Sequence, residues 1–302
     1  MKNYVALFLF VISFVHAQEP LHFCTASDSR YFNCLINLIG CLHKHNFDQI
    51  GTIAVFDLGM TAEQKEHVSR IAKVSIHDVE KVHPDIITPM QTTHWGKMVP
   101  GWYAWKAVII KQALDMVDCV LYIDAGTTIY KPLDDLFKHI RHAGYFFHNG
   151  SPWCIQQETT QYVINKFDLA SSEKKWLLDE DIKGLEAGFM GLTRRVYDSF
   201  VMPAYQLAHD LRNFADDGSC RGGFGNCRHD IPIFSMIALL NGLTIYHHFK
   251  QPCQTLWLDT DEGKIPFHIA CNPQDRTSQT HVYCSRMDVS GIQENIQAIR
   301  LK

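Results

Sequence analysis

The chain has 302 residues, of which 46% are hydrophobic, and a formal net charge of −4. This length suits one large α/β domain or two small ones, with enough apolar content for a core. Because the net charge is negative and no long basic run is visible, we do not expect nucleic acid as a partner.

Residues 1–17 have the features of a secretory signal peptide. Lys2 supplies positive charge, residues 5–15 form an apolar run, and Val15-His16-Ala17 fits a small-residue cleavage site. The run is shorter than the roughly 20 residues of a membrane span, so we expect no stable span. The sequence predicts a mature single domain of residues 18–302 in the secretory pathway, secreted or held in a lumen or periplasm. An uncleaved signal anchor is the alternative.

The chain contains ten cysteines. An even number behind a signal peptide predicts some disulfides. Cys220 and Cys227 flank a short glycine-rich loop, and they are the first candidates for a pair. Four other cysteines lie in apolar patterns and are expected to be free core thiols: Cys24, Cys34, Cys41 and Cys119.

Strands and helices alternate through the first half, which favours βαβ units and a mostly parallel sheet. The patterns predict strands at residues 21–25, 52–56 and 73–76. A helix follows Asp28 or Ser29, with Phe32, Leu35 and Ile36 beginning its apolar stripe. Thr61 and Gln64 form a capping box at the start of the next helix.

The second half is less regular. Residues 77–101 read as a long loop, which in a compact domain is often functional. We expect helices at 105–116 and 194–212 and one opened by Asp230, with strands at 119–123, 144–147, 188–192 and 243–246. Residues 151–181 read as an excursion over the sheet, 215–228 as a glycine-rich loop, and the pattern beyond residue 250 is irregular.

Asp124 is the most informative single residue. It follows the apolar run 119–123 and precedes Ala125 and Gly126. In an open α/β sheet, a buried strand that ends in a carboxylate and a small-residue turn is where the binding crevice is built. The simpler interpretation is a solvated aspartate that opens a turn.

The segment from Tyr122 to Leu133 resembles the central signature of nucleotide-sugar glycosyltransferases with a GT-A fold. Further blocks resemble that family in the same order: Thr25-Ala26-Ser27-Asp28, Asp57-Leu58-Gly59-Met60-Thr61, Trp105-Lys106, Ala187-Gly188-Phe189-Met190-Gly191 and His229-Asp230. The resemblance implies an α/β, Rossmann-like fold with a mostly parallel mixed sheet flanked by helices. It also implies transfer of a sugar from a nucleotide-diphosphate donor to a hydroxyl-bearing glycan, lipid or protein.

For the donor, the resemblance implies that Thr25, Ala26 and Ser27 border the base and ribose. Asp28 either bonds the ribose or caps its helix. A cation at Lys106 would offset charge on the leaving diphosphate, although a surface lysine on a helix is the simpler interpretation. The remaining implied donor contacts are Asp57, Trp105, Asp124 and Gly126.

The chain departs from the family at the metal site. Many relatives have Asp-x-Asp, whereas this chain has Asp124-Ala125-Gly126 and so lacks the second carboxylate. Binding of Mn²⁺ or Mg²⁺ would then need other ligands beside Asp124. The resemblance suggests a late histidine, with His247, His248 and His268 as candidates. The alternative is a metal-independent site that uses Lys106 and backbone amides.

On the acceptor side, Glu186 is expected to orient a hydroxyl or, in an inverting enzyme, to act as general base. Ala187 and Gly188 allow a sugar to approach closely, and Phe189 continues the same block. Asp230 is a second carboxylate candidate or a helix cap. The predicted catalytic carboxylates are therefore Asp124, Glu186 and Asp230.

Two other functions compete with the transferase. A catalytically inactive GT-A-like protein that binds glycan is the main alternative, and the missing second aspartate favours it. A hydrolase would need a paired acid and base, and the sequence shows no recognisable pair and no Gly-x-Ser-x-Gly motif.

Overall fold

A computed structural model describes residues 19–92, 96–246, 254–270, 277–284 and 291–302. The predicted signal segment, His247, His248, Cys253 and Cys271 lie outside these residues. In the described part of the chain, no helix has both the length and the apolar character needed to cross a bilayer.

The strands and helices of the described residues are numbered in chain order. The strands are β1 (Leu21–Ser27), β2 (Ile50–Asp57), β3 (Val74–Asp78), β4 (Pro89–Gln91), β5 (Met98–Pro100), β6 (Cys119–Ile123), β7 (Thr128–Ile129), β8 (Tyr145–Phe146), β9 (Asn149–Cys154), β10 (Lys183–Leu185), β11 (Phe189–Thr193), β12 (Gln254–Thr260), β13 (Gly263–Ala270) and β14 (Val282–Tyr283). The helices are α1 (Phe32–Asn46), α2 (Ala62–Ser69), α3 (Trp105–Met116), α4 (Asp134–Ala143), α5 (Ile155–Glu158), α6 (Gln161–Lys166), α7 (Met202–Leu207), α8 (Asp230–Leu240) and α9 (Ile292–Gln297).

The central sheet has six strands in the order β3-β2-β1-β6-β11-β8. Strands β3, β2, β1 and β6 run parallel, whereas β11 is antiparallel to β6 and β8 is antiparallel to β11. This confirms the predicted mixed, mostly parallel sheet. The non-sequential order places β1 beside β6, so the strand ends at Ser27 and Ile123 lie at the same edge.

Apolar side chains cover both faces of the sheet. Along β6, Val120 and Tyr122 belong to the core beneath α3 and α8, while Leu121 and Ile123 belong to the core beneath α1 and α4. All five residues of β6 are buried. A strand buried on both faces reads as a continuous apolar run, which is why this strand could be predicted from the sequence.

Smaller sheets occupy regions predicted as irregular. The predicted loop 77–101 contains an antiparallel pair, β4 with β5. Beyond residue 250, β12 and β13 form a hairpin that joins β14 and β7 in a four-stranded sheet. The prediction of a strand at 243–246 is wrong, because only an isolated bridge between Tyr246 and His148 forms there. Strands β4, β5, β7 and β14 have only two or three residues, too few to show a period, whereas β12 alternates buried and exposed residues as a half-buried strand does.

The predicted helix 194–212 is interrupted. A 3₁₀ turn at Arg194–Val196 is followed by a π-helical turn at Tyr197–Val201 and then by α7. Pro203 lies in the first turn of α7. Proline has no amide hydrogen and its ring crowds the carbonyl four residues earlier, so a regular α-helix cannot continue through this point.

The predicted disulfide between Cys220 and Cys227 is absent, because both thiols are free. Each thiol donates to a backbone carbonyl instead, Cys220 to Gly223 and Cys227 to Ala215. The carboxylate of Asp216 closes the loop by accepting the amides of Gly218 at 3.0 Å and Gly225 at 2.7 Å. Cys24, Cys34 and Cys119 are free thiols as expected, and Cys41 is buried.

Candidate functional site

Four chain segments meet at the carboxyl edge of the parallel strands. Asp124 follows β6, and its amide donates to the carbonyl of Gly188 at 2.8 Å, just before β11. The first turn of α3 brings Lys106 to the same place, and the first residue of α8 brings Asp230. The antiparallel direction of β11 explains why its beginning, rather than its end, lies at this edge.

Lys106 is the centre of this cluster. Its ammonium lies 3.2 Å from both carboxylate oxygens of Asp124 and 2.8 Å from Oδ2 of Asp230. It also donates to the carbonyl of Ala187 at 3.4 Å. The residue is only 4% exposed, so this is a buried ion pair rather than the surface lysine of the simpler interpretation. Burial alone would lower the pKa of Lys106, but the carboxylates of Asp124 and Asp230 raise it and keep the side chain charged.

Asp124 is held by two donors. Besides Lys106, the hydroxyl of Tyr122 donates to its Oδ1. An ideal Cβ atom on Gly188 would lie 2.9 Å from an oxygen of Asp124 and 2.9 Å from an oxygen of Glu186. Only glycine at this position lets the two carboxylates come so close together.

The acidic groups of the cluster influence one another. Burial, and then the nearby charge of Asp124, raises the pKa of Glu186 to about 7, although the Lys106 ammonium opposes the shift. Burial also raises the pKa of Asp230, against the opposing effect of Lys106. Glu186 additionally accepts the amide of Gly188 at 3.0 Å. A carboxyl with a pKa near neutrality is suited to proton transfer.

Two cavities open on either side of Asp124, which lines both. The β1 cavity, of about 230 Å³, includes Ala26, Ser27, Asp28, Trp105, Asp124 and Gly126 in its lining. The α8 cavity, of about 380 Å³, includes Tyr103, Lys106, Asp124, Glu186, Ala187, His229 and Asp230. The predicted donor residues therefore fall mainly in the first cavity and the predicted acceptor residues mainly in the second.

Two predicted donor residues lie away from both cavities. Thr25 is buried, and its hydroxyl has no hydrogen-bond partner within the described residues. Asp57 accepts the amides of Gly59 at 2.8 Å and Met60 at 2.7 Å, and it pairs with Lys65 at 3.0 Å. The side chain of Asp57 therefore shapes its own turn, while the adjacent Leu58 lines the β1 cavity.

Asp28 and Asp230, which were both predicted as possible helix caps, have different partners in the structure. Asp28 accepts the amides of Arg30 and Tyr31 and pairs with the Arg30 guanidinium at 2.6 Å, so it organises the turn before α1 while lining the β1 cavity. Asp230 instead directs its carboxylate at Lys106. The start of α8 has no side-chain cap at His229, and Asp230 therefore belongs to the ion cluster.

Among the predicted acceptor residues, Ala187 lines the α8 cavity and Gly188 lies between the two carboxylates. Phe189 has no exposed surface and packs edge-on against Phe146 and His148. Its side chain points into the core below α4, because successive residues of a strand face opposite sides of the sheet. The structure thus separates Phe189 from Ala187 and Gly188, the predicted acceptor residues beside it in the sequence.

The described residues do not supply a complete metal site. No group of three or more His, Cys, Asp or Glu side chains within them could hold a metal ion. Both oxygens of Asp124 lie against an ammonium, and Gly126 stands where a second carboxylate is expected. His268 bonds Thr255 and stacks on His281 within the second sheet. The other predicted ligands, His247 and His248, lie outside the described residues.

The cavity residues that the sequence did not predict as part of the site include Arg30, Tyr103, Arg228 and His229. Tyr103 and His229 have positive φ angles, of 65° and 53°. Such angles are uncommon outside glycine and cannot be read from residue type for tyrosine. The block His229-Asp230 directed attention to the neighbouring carboxylate, not to the imidazole.

Comparison with known proteins identifies the fold. No family model matches the chain, and no curated protein matches it. Among solved structures, core-mannan synthase A from Aspergillus fumigatus in its Mn/GDP form superposes with a TM-score of 0.51 at 14% identity, over 74% of this chain and 70% of that one. The protein has a GT-A fold.

Two further solved structures superpose with a TM-score of 0.45. One is mouse xyloside xylosyltransferase 1 in its apo form, at 13% identity over 75% of this chain and 84% of that one. The other is a mannosyltransferase from S. cerevisiae in complex with GDP, at 11% identity over 73% of this chain and 66% of that one. Because the GT-A fold alone does not fix a reaction, function has to be argued from the site.

Proposed function

We propose that this protein is a glycosyltransferase that moves a sugar from a nucleoside-diphosphate sugar to a hydroxyl group. The observation that carries the proposal is the position of Asp124, which lines two adjacent cavities at the carboxyl edge of a GT-A sheet. A transferase has to bring two substrates together at one reacting carbon. Two cavities that share one carboxylate supply that arrangement.

The β1 cavity is the proposed donor site. Apolar side chains such as Leu58, Val99 and Trp105 offer surface for a base, while Asp28 and Arg30 offer polar contacts. The backbone amides of Ala125 and Gly126 have no hydrogen-bond partner within the described residues. These amides and the Arg30 guanidinium are suited to phosphate oxygens. Because Lys106 neutralises Asp124, that carboxylate repels a bound diphosphate less strongly.

The α8 cavity is the proposed acceptor site, with Glu186 as general base. In a direct displacement, the acceptor oxygen bonds to the anomeric carbon as the bond from that carbon to the phosphate oxygen breaks. The hydroxyl proton passes to the Glu186 carboxylate, and the nucleoside diphosphate leaves. A pKa of about 7 gives Glu186 a substantial ionised fraction at neutral pH together with useful basicity.

The proposed reaction has no step at a divalent metal. Core-mannan synthase A was solved with Mn and GDP, so a metal is compatible with the fold. In this chain, however, the described residues offer Asp124 with its oxygens already against Lys106. The proposed mechanism therefore relies on the side chains described above.

We further propose that the domain acts in the secretory pathway after cleavage near Ala17, because nucleotide sugars and acceptors meet in lumenal compartments. The composition of residues 1–17 supports this proposal. Intact mass measurement of the purified secreted protein tests it. A mature N-terminus at Gln18 is the expected result, and a membrane-retained full-length chain would contradict it.

A thermal-shift panel of nucleoside diphosphates, with and without Mn²⁺, tests the proposed function. A ligand at 100 times its Kd stabilises the native state by about 2.7 kcal/mol, so at least one nucleotide is expected to raise Tm clearly. Nucleotide sugars of the binding base are then incubated with a glycoside panel to detect transfer. Binding without any transfer would favour the inactive glycan-binding protein, and no binding at all would contradict both the donor site and the transferase.

A further inference from the structure

Tyr103 and His229 form an aromatic pair on the wall of the α8 cavity. Their ring centroids are 5.7 Å apart with the planes tilted by 44°. Both line the α8 cavity beside Glu186, and Tyr103 also lines the β1 cavity, but neither is needed for the proton transfer proposed above. Tyr103 precedes α3 and His229 precedes α8, so two separate elements deliver the two rings to one place.

The backbone at both residues is strained. Tyr103 follows Gly101 and Trp102, which also have positive φ angles, of 46° and 47°. His229 has φ 53° and ψ −91°. Such conformations cost about 1–3 kcal/mol each in non-glycine residues and persist only where the surroundings impose them. An ideal Cβ on Gly101 would lie 2.0 Å from the carbonyl oxygen of Ile86, so the turn before Tyr103 has no space for a side chain at this position.

A hydrogen bond fixes which nitrogen of the His229 imidazole carries the proton. Its Nδ1 lies 2.7 Å from the carbonyl oxygen of Phe214, and a carbonyl can only accept, so Nδ1 carries the proton. Burial lowers the pKa of His229, and this keeps the ring neutral near pH 7. The remaining nitrogen, Nε2, is therefore an acceptor, and it has no hydrogen-bond partner within the described residues. A ring with a lowered pKa accepts a hydrogen bond readily but takes up a proton poorly.

Tyr103 supplies the complementary group. Burial raises the pKa of Tyr103, so its hydroxyl stays protonated and can donate. No hydrogen bond to this hydroxyl is formed by any described residue. The pair therefore presents one free donor, one free acceptor and two aromatic rings, with the Lys106 ammonium 5.2 Å from the centre of the Tyr103 ring. A pyranose offers the matching features, since each hydroxyl both donates and accepts and its C–H faces pack on aromatic rings.

We propose that Tyr103 and His229 form a subsite for a pyranose ring of the acceptor, so that the acceptor is a glycan. This inference rests on the proposed transferase function and names the class of its acceptor. The rest of the wall agrees with a polar ligand, because Thr92, Lys97 and Arg228 also line the cavity. A lipid chain would require a largely apolar lining instead.

Saturation-transfer NMR with methyl pyranosides tests the subsite. The wild-type protein is loaded with the nucleoside diphosphate that stabilises it, and methyl α-mannoside, β-galactoside, β-glucoside and β-xyloside are titrated in turn. Tyr103→Phe removes only the hydroxyl. His229→Asn keeps an amide donor for the Phe214 carbonyl and removes the acceptor nitrogen. At least one pyranoside is expected to bind, with affinity reduced about 10-fold in each variant. His229→Asn should leave nucleotide affinity unchanged, because His229 lines the α8 cavity and not the β1 cavity.

His209→Asn and Tyr162→Phe are the matched controls. His209 is exposed and also bonds a backbone carbonyl through Nδ1, that of Tyr205 at 3.1 Å, and Tyr162 bonds Asp210 at 2.9 Å. Both controls should bind the pyranoside normally. Unchanged pyranoside affinity in Tyr103→Phe and His229→Asn would overturn the subsite, as would a wild-type protein that binds nucleotide but none of the four glycosides. Failure to bind any nucleotide would instead count against the proposed function itself.

Discussion

At the scale of single residues, Asp124 is the first to test. Its carboxylate accepts from Lys106 and Tyr122 and borders both cavities. Asp124→Asn keeps the size of the side chain but removes the charge that fixes the ammonium. We expect the rate of sugar transfer to fall by about 10²-fold or more, measured as kcat on the active substrate pair.

Asp118→Asn is the matched control for this change. Asp118 immediately precedes β6 at the opposite end of the same strand, and its side chain is 92% exposed. The control should keep full activity. An Asp124→Asn protein that folds and turns over normally would remove Asp124 from the mechanism.

The raised pKa of Glu186 predicts how the rate of the reaction depends on pH. Its pKa of about 7 is raised by burial and by Asp124, so the carboxylate becomes available as a base when pH rises through about 7. We expect kcat/KM to increase from pH 6 to pH 8 and then to level off. In Glu186→Gln the rate should fall by about 10²-fold and the limb near pH 7 should disappear. If the variant keeps that limb, another group is the base.

Substitution of Gly126 tests whether metal binding can be introduced at this site. An ideal Cβ on Gly126 meets no atom within 4 Å, so a side chain fits without displacing its neighbours. Gly126→Asp restores the second carboxylate of the Asp-x-Asp pattern. We expect the variant to bind nucleoside diphosphate more tightly with Mn²⁺ than without it, by about 10-fold in Kd from calorimetry.

Gly126→Ala is the control, because it adds the Cβ without the charge and should respond to Mn²⁺ as the wild type does. If the wild type already depends on Mn²⁺ as strongly as Gly126→Asp, the site has metal ligands beyond the described residues. That result would contradict the metal-free mechanism.

Residue type and position predicted much of the site. Asp124, Lys106, Glu186 and Asp230 converge because each lies at the end of an element that the sequence pattern located. Side-chain direction was harder to predict. Phe189 lies in the predicted acceptor block but faces the core, and Asp57 lies in a matching block but binds its own turn. The backbone strain at Tyr103 and His229 has no sequence signature.

At the scale of elements, the predicted helices and strands that agree with the structure are those with strong sequence signals. The predicted bounds of α3 and β6 agree with the structure, and the capping box of Thr61 and Gln64 forms at the start of α2. These elements have strong periodicity or explicit end signals. The pair β4–β5 was not predicted because strands of three residues are too short to show a period. The hairpin β12–β13 was not predicted although alternate residues of β12, such as Leu256 and Leu258, are buried. The helix predicted at 194–212 is broken into shorter turns, with Pro203 in the first turn of α7.

Lys106 also joins elements, which makes it a structural as well as a functional residue. It lies on α3 and pairs with carboxylates that follow β6 and begin α8. Lys106→Met keeps the apolar stem but leaves two acidic groups in the cluster without their cation. We expect the free energy of unfolding to fall by about 3–5 kcal/mol, measured by urea denaturation at pH 7.5.

Lys111→Met on the same helix is the control. Lys111 pairs with Asp115 at 2.8 Å one turn later, a contact near the surface that contributes about 1 kcal/mol or less. The Lys106→Met protein should recover part of its stability at lower pH, where Asp230 and Glu186 become neutral. Equal stability of the two variants would show that the cluster adds nothing to the fold.

At the scale of the whole molecule, the C-terminal segment and the proposed active site lie at opposite edges of the sheet. The C-terminal segment packs α9 against α1, and an ideal Cβ on Gly40 would lie only 2.1 Å from the carbonyl oxygen of Asn295. Leu301 bridges to Ile71, just before β3 begins, and Arg300 donates its amide to Nδ1 of His43 at 3.0 Å. The residues of the proposed reaction lie beyond the other ends of these strands.

Two buried histidines, His43 and His281, lead to a prediction about stability in acid. Burial lowers the pKa of His43 to about 4, with the nearby Arg300 and Lys73 adding to the shift. The pKa of His281 is also lowered to about 4 by burial and by Lys131. Between about pH 4 and 6.5 these two imidazoles therefore bind more protons in the unfolded chain than in the native protein, whereas the raised pKa of Glu186 acts in the opposite direction. The histidine contribution to the free energy of unfolding is expected to decrease as pH falls through this window, by on the order of 2–3 kcal/mol for His43 alone.

Chemical denaturation at pH 7.5, 6.0 and 5.0 measures this slope, and His43→Gln isolates one contribution. Glutamine can still accept the amide of Arg300 but does not titrate, so the variant should lose less stability on acidification than the wild type. Its nucleotide affinity at pH 7.5 should be unchanged, because His43 on α1 lines neither cavity. Parallel stability curves for the two proteins would mean that His43 does not control the acid limb. A loss of nucleotide binding in His43→Gln would show that the two edges of the sheet are coupled after all.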